Sequence, residues 1–257
     1  MIVNYHSHTP RCHHAWGSER EYVEAALRGG LETLGFSDHT PQVYFDRPDY
    51  VSRVRMRTDE LPSYVGTVRD LAEEYRGRIE ILLGVEAEYY PKYFSRLLEL
   101  LRRNGVRYMI LGQHFIGNEI GSPYLGRPTE DPAILARYVE QSIEALQTGL
   151  FSYFAHPDLI WFTGSDDEYR LRMRELCRAA KTLDTPLEIN LLGIREGRNY
   201  PDERFWRIAA EEGNAVLLGC DAHRPEHILD HESEKKALAL VEKLSLDLRE
   251  RVPLREL

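Results

Sequence analysis

The segment Ile2-Val3-Asn4-Tyr5-His6-Ser7-His8 decides the fold, because a short apolar run breaks abruptly into two histidines one residue apart. Six more such runs follow along the chain: TLGFS at 33–37, IEILLGVE at 79–86, YMILGQ at 108–113, FSYFA at 151–155, LEINL at 187–191 and AVLLGC at 215–220. Near-continuous apolar runs are expected of parallel strands buried on both faces. Helical patterns separate them. Ser18-Glu19-Arg20-Glu21 opens the first with a capping-box signature. Others span roughly 58–76, 92–104, 130–148, 166–181, 202–213 and 232–249, with apolar helical spacing at Leu97, Leu98, Leu101 and at Leu135, Val139, Ile143, Leu146.

Seven β–α units in strict alternation predict a parallel sheet, either closed or open and doubly wound. No glycine-rich phosphate fingerprint follows the first strand, as the open dinucleotide-binding fold would carry. Polar residues instead stand at the C-terminal end of nearly every strand, where α/β barrels keep their sites. The expectation is an α/β fold, a distorted seven-stranded (β/α)7 TIM-like barrel, in one domain spanning residues 1–257.

Those strand ends carry metal-binding chemistry. The first strand runs into His6 and His8, with His13 and His14 beyond. The second meets Asp38 and His39, the third Glu86, the fourth His114, the fifth His156, and the seventh Asp221 and His223. The sixth ends at Asn190 with Arg195 nearby. One histidine at such a place is usually a structural residue. A set delivered to the same face by six strands is not explained that way. In His6-x-His8 the alternation of a strand points both rings the same way. Carboxylates such as Glu86 and Asp221 can bridge neighbouring ions while offsetting their charge. Imidazole and carboxylate donors without thiolates suit Zn, Fe or Mn. Cys12 lies close by and reads as a packing residue.

A net charge of −9 argues against nucleic-acid partners, which select basic surfaces. Three widely separated cysteines make no disulfide framework and fit a reducing compartment. Without a basic start and long apolar run the chain shows no signal peptide, and no stretch is long enough to span a bilayer. The expectation is a soluble cytoplasmic protein with no membrane partner, and a homo-oligomer is compatible with the sequence.

The motifs His6-x-His8, Ser37-Asp38-His39, Gly84-Val85-Glu86, Gly112-Gln113-His114, Ala155-His156-Pro157 and Cys220-Asp221-Ala222-His223, in this order, resemble the polymerase-and-histidinol-phosphatase (PHP) superfamily. HSHTPRCHH, GQHF and EINLLGIR resemble its histidinol-phosphatase branch. The resemblance covers essentially the whole chain. It implies a distorted seven-stranded barrel with three metal ions and hydrolysis of L-histidinol phosphate to L-histidinol and phosphate, a step of histidine biosynthesis. By the same resemblance His6, His8, Glu86 and Asp221 hold the first ion. Glu86 bridges to a second held by His114 and His156. His14, His39 and His223 hold the third. His14 is taken because the family's ligand stands six residues after the second histidine of the opening pair, with adjacent His13 as the alternative.

Phosphomonoester hydrolysis needs a nucleophile strong at neutral pH, which paired ions about 3.5–4 Å apart draw from water by lowering its pKa toward roughly 7. It also needs cations on the phosphoryl oxygens, for which planar guanidinium suits better than lysine. Arg195 resembles the family's phosphate-binding arginine, and Arg127 and Arg224 are further substrate-binding candidates. Asp221, His223 and Arg195 are the catalytic candidates. The long connection Pro41 to Arg57 could act as a lid, with Tyr44 and Phe45 over an imidazole and four arginines raising the local field. Trp161 and Phe162 could pack against the same group. Competing readings are a phosphodiesterase or nuclease of the same superfamily, another small-molecule phosphatase, and a non-catalytic metal-binding module. An amidohydrolase would need a bridging lysine at a strand end, and none is seen.

Overall fold

The computed structural model describes residues 1–47 and 49–257. Eight parallel strands pair in sequence order: β1 (Val3–Asn4), β2 (Thr33–Phe36), β3 (Glu80–Ala87), β4 (Tyr108–Leu111), β5 (Phe151–Phe154), β6 (Leu187–Asn190), β7 (Ala215–Gly219) and β8 (Asp247–Leu248). The first seven are the expected ones. The eighth lies inside the segment 232–249 expected as a helix, which ends at Leu244 because Ser245 turns into the left-handed region at φ 52°. β8 pairs with the start of β7. At the opposite end β1 and β7 close directly, through a parallel bridge between Ser7 and Ala222. His8 N donates to Ala222 O at 2.9 Å there. Asn4 braces the same seam, accepting from Cys220 N at 2.9 Å and donating to Ser7 Oγ at 2.8 Å.

Helices α1 (Glu19–Arg28), α2 (Leu61–Glu74), α3 (Pro91–Asn104), α4 (Pro132–Gln147), α5 (Asp166–Thr182), α6 (Leu191–Glu196), α7 (Glu203–Glu212) and α8 (His231–Leu244) connect the strands. The capping box at Ser18 forms as the sequence predicts, Ser18 N donating to Glu21 Oε2 at 2.7 Å. α3 shows why the helices pack. Leu97 and Leu101 are buried while Arg102 and Arg103 face water, each buried leucine contributing about 1.5–3 kcal/mol. α6 was not expected; Asn190 caps it, its Oδ1 accepting from Gly193 N at 3.2 Å.

Strand alternation divides the core in two. Ile81, Leu83 and Val85 of β3 face the helices, whereas Leu82 joins Val3, Tyr5, Tyr108, Ile110, Tyr153 and Leu217 inside the barrel. Val252 from the C-terminal tail packs with this inner cluster, and the tail pairs antiparallel with the start of β4 at Tyr108 and Glu256. The bottom of the barrel is thus sealed by apolar side chains and tail. Continuing the inner face of β3 upward leads past Gly84 to Glu86, so the rule that fills the core also delivers a carboxylate to the open end. No helix among the described residues is long and apolar enough to cross a membrane. Cys12, Cys177 and Cys220 are free and buried.

Candidate metal centre

At the C-terminal end of the strands, six histidines converge on two carboxylates, and a seventh, His14, packs against two of them. Glu86 divides them between its oxygens. Oε1 lies 2.8 Å from His156 Nε2 and 3.6 Å from His114 Nε2. Oε2 lies 3.0 Å from His39 Nδ1 and 3.6 Å from both His6 Nε2 and His8 Nε2. Asp221 Oδ1 stands 3.1 Å from His8 Nε2, 3.6 Å from His6 Nε2 and 3.4 Å from His223 Nδ1. The His14 ring lies 5.3 Å from that of His39 and 4.8 Å from that of His223. His13 is exposed, at φ 65°, where it ends a short 3-10 turn. The geometry therefore brings His14, and not His13, into the cluster.

Whether this cluster suits metal ions is decided by how its rings are held. His6 Nδ1 donates to Glu188 Oε1 at 2.9 Å. His8 Nδ1 faces Asp38 Oδ1 at 3.4 Å and His114 Nδ1 faces Glu88 Oε1 at 3.3 Å. His14 Nδ1 donates to Cys12 O at 2.7 Å, and His223 Nδ1 to Asp221 O at 3.1 Å. Each of these five rings has its Nδ1 turned to an oxygen, so that in the neutral ring Nε2 carries the lone pair. That is how metal-binding imidazoles are oriented. Facing His6 Nε2 and His8 Nε2 are only 3.2 Å apart. The buried Asp221 Oδ1 has no hydrogen-bond partner among the described residues. Lone pairs and a bare carboxylate oxygen pointed at one another fit a cation between them.

The electrostatics agree. Burial pushes the His39, His114, His223 and His14 imidazoles below their ordinary pKa, so they stay neutral and ready to ligate. Burial also acts against charge on His6 and His8, but Glu188, Asp221 and Asp38 outweigh it and draw positive charge to these rings. Burial raises Glu86 and Asp221, yet the imidazoles around them hold both well below the usual carboxylate range. Cys12 is a different case. Burial and the Asp38 charge push its thiol up to about 11, and its Sγ donates to Thr9 O at 3.1 Å, so it stays a neutral packing group. Backbone strain gathers here too, with His156 at φ 35° and Asp221 at φ 45°, a conformation that L residues adopt at a cost.

The cluster floors a cleft of about 710 Å³ whose walls include Arg55, Phe115, Tyr124, Trp161, Arg198, Tyr200, Arg224 and His227. Several expectations change here. Arg195 does not line the cleft: its Nη1 pairs with Asp230 Oδ2 at 3.0 Å, and its Nη2 donates to Cys220 O and Asp221 O at 3.3 and 3.4 Å. The reason is α6, which carries it inward to the base of α8. Arg127 is exposed and also outside the lining, whereas Arg224 is part of it and stacks over Trp16 at 4.7 Å. Tyr44 and Phe45 are buried in the core and do not cover the cleft. Of the four arginines in the connection from Pro41 to Arg57, Arg47, Arg53 and Arg57 are exposed. Arg55, 2% exposed, pairs with Glu88 and with Glu119. Residue 48 of that connection lies outside the described residues. Trp161 reaches the cleft while Phe162 is buried.

Sequence reasoning missed Glu188, Glu88, Arg198 and His227. Glu188 sits between Leu187 and Ile189, which face the helices, so it points into the barrel behind His6. A carboxylate in an otherwise apolar strand needs a partner, and that signal was available in LEIN. Glu88 follows Glu86 by two residues and shares its face. His227 lies in the cleft wall, its Nδ1 accepting from His223 N at 3.2 Å.

Comparison with known proteins agrees with this architecture. The PHP domain model matches residues 4–191. The chain is 30% identical over 245 residues to a probable histidinol-phosphatase from Deinococcus radiodurans, covering 88% of each chain. It is 32% identical over 249 residues to the histidinol-phosphatase of Bacillus subtilis, covering 85% of this chain and 92% of that one. Among solved structures, the fold is similar to that of histidinol phosphate phosphatase from Lactococcus lactis, crystallised with zinc, L-histidinol and phosphate. The TM-score is 0.74 at 21% identity, over 96% of this chain and 95% of that one. The match over most of the chain, on a barrel whose strand ends gather these histidines, means that the chain belongs to the PHP domain family.

Proposed function

We propose that this chain is a metal-dependent phosphomonoesterase that hydrolyses L-histidinol phosphate to L-histidinol and phosphate. The observation that carries the reading is that Glu188, Asp38 and Glu88 stand behind the Nδ1 atoms of His6, His8 and His114 while the Nε2 atoms of these rings face Glu86, and those of His6 and His8 also Asp221. Named relatives of 30% and 32% identity supply the substrate.

The residue assignments are part of the same proposal. His6, His8, Glu86 and Asp221 hold one ion, Glu86 with His114 and His156 a second, and His14, His39 and His223 a third. Zinc, iron or manganese suits these nitrogen and oxygen donors. Bound ions supply charge neutralisation for the phosphoryl oxygens and lower the pKa of attacking water. The chain does the rest. Glu188, Asp38 and Glu88 hold the rings of His6, His8 and His114 in register. Arg195 fixes the backbone of Asp221 rather than gripping phosphate. Arg224 places a guanidinium group on the cleft wall, where a phosphate is best received. Phe115 and Trp161 offer flat apolar surface for an imidazole.

The test combines metal content by mass spectrometry with phosphate release from L-histidinol phosphate, other phosphomonoesters and dinucleotides. Strong preference for L-histidinol phosphate with at least two tightly bound ions per chain is expected. Equal rates across the panel would remove the substrate assignment, and full activity with fewer than two ions would remove the multi-metal mechanism.

A further inference from the structure

Tyr124 and Tyr200 stand over the His114 and His156 pair. The Tyr124 ring is stacked on His114 with centroids 6.4 Å apart, and the Tyr200 ring lies 5.9 Å from that of His156. One guanidinium joins them. Arg198 Nη1 donates to Tyr124 Oη at 3.3 Å and to Tyr200 Oη at 3.1 Å. Its Nε and Nη2 donate to Glu196 Oε2 at 2.9 and 2.7 Å, which holds the guanidinium in place. All four side chains line the same cleft as the imidazole cluster.

A phenol that accepts a hydrogen bond on its oxygen keeps its own proton to donate. Among the described residues, the hydrogen bonds of these two hydroxyls are the ones they accept from Arg198. Donation from a cation polarises a phenol and strengthens it as a donor in turn. Plain wall residues would need none of this. Phenylalanine would fill the same space, whereas a half-buried Tyr124 and a buried Tyr200 wired to one arginine suit an anionic oxygen.

We propose that Tyr124 and Tyr200 donate paired hydrogen bonds to the phosphoryl oxygens of the substrate, and that Arg198 is the positioning residue that aligns them. The inference rests on the phosphomonoesterase reading and assigns it an anion-binding wall. The position expected of Arg195 is filled by Arg198 and Tyr200, three and five residues further along, and by Tyr124 across the cleft.

The experiment uses the metal-loaded protein and its Tyr124→Phe, Tyr200→Phe and Arg198→Lys variants. It reads metal content, kcat and KM on the phosphomonoester that the unaltered protein hydrolyses fastest, and the inhibition constant of inorganic phosphate. A hydrogen bond to a charged group is worth roughly ten-fold or more in affinity. Each phenylalanine variant should therefore raise KM and the phosphate inhibition constant together by about ten-fold, with metal content unchanged. Arg198→Lys, which keeps the charge but cannot span both phenols, should raise both as well. An unchanged phosphate inhibition constant in both phenylalanine variants overturns the proposal, whatever happens to kcat. So does loss of metal in them, which would make the pair structural. If the unaltered protein hydrolyses no phosphomonoester, the functional reading falls instead.

Discussion

Glu188 Oε1 lies 2.9 Å from His6 Nδ1, while the other nitrogen of that ring faces Glu86 and Asp221 at 3.6 Å. Glu188 Oε2 also accepts from His156 N at 3.2 Å, so one carboxylate orients two strand ends. Its position depends on Gly219, where an added Cβ would overlap the Glu188 carboxylate. Such a partner raises the basicity of a ligating imidazole, and its loss typically weakens metal binding by about 10–100-fold. Glu188→Gln keeps the shape and removes the charge. It should lower metal affinity by that factor, measured by competition with a chromophoric chelator, with little change in chemical unfolding of the metal-free protein. An affinity equal to that of the unaltered chain would sink the idea that Glu188 tunes His6.

The same packing logic makes a glycine prediction. A Cβ at Gly112 would overlap the Glu86 carboxylate, so the barrel wall leaves room there for the shared carboxylate. Gly112→Ala must displace Glu86 from its place between the imidazoles. Misplacement by about 1 Å can cost on the order of 100-fold in rate. The variant should lose metal and lose activity by at least roughly that factor. Normal metal content with normal kcat would mean that Glu86 is not the bridge.

The strand ends were legible because alternation is a strong signal: once Leu82 and Gly84 face inward, Glu86 must follow. His14 was legible only as one of an adjacent pair, since the short 3-10 turn at Pro10–Cys12 decides which histidine points in. Arg224 was legible as a cleft residue, but the places of Arg195 and Arg198 were not. Arg195 looks like a loop residue in the sequence, but Asn190 caps a helix on it, and that helix buries it against Asp230. Gly197, at φ 63°, ends the helix and redirects the chain so that Arg198 enters the cleft wall. Nothing in local spacing distinguishes those two outcomes. Tyr44 and Phe45 failed for the opposite reason: aromatic residues in a long connection fold back into the core when apolar surface is within reach.

Arg195 and Asp230 make a clamp whose pH behaviour follows from its geometry. Burial raises the Asp230 carboxyl, but hydrogen bonds from Ser233 and Arg195 outweigh it and hold the group below its ordinary value. A depressed folded-state pKa means that the clamp's contribution is complete above the unfolded value, near 4, and is lost as pH falls through the lower folded value. Arg195→Ala should therefore destabilise the protein by a constant amount across pH 6–9, with the difference from the unaltered chain shrinking only below about pH 4. Because its guanidinium also holds the carbonyls of Cys220 and Asp221, the variant should lose metal as well as stability. A rise in KM alone, with metal content and unfolding midpoint unchanged, would restore Arg195 as a phosphate grip.

Metal removal tests the centre as a whole. Glu86, Asp221, Glu188 and Asp38 are all buried around two facing imidazoles, a concentration of negative charge that a cation offsets. A ligand that binds only the folded state stabilises it by about 4 kcal/mol at a thousand times its dissociation constant. For a chain of this size that amounts to roughly 10 °C in Tm. Exhaustive chelation should lower Tm by about that much and abolish phosphate release, checked by calorimetry on samples whose metal content is measured. Zinc, iron or manganese should restore both, whereas calcium and magnesium, which prefer all-oxygen sites, should restore neither. An unchanged Tm and full activity after verified metal removal would show that the cluster is a hydrogen-bonded core and not a metal centre.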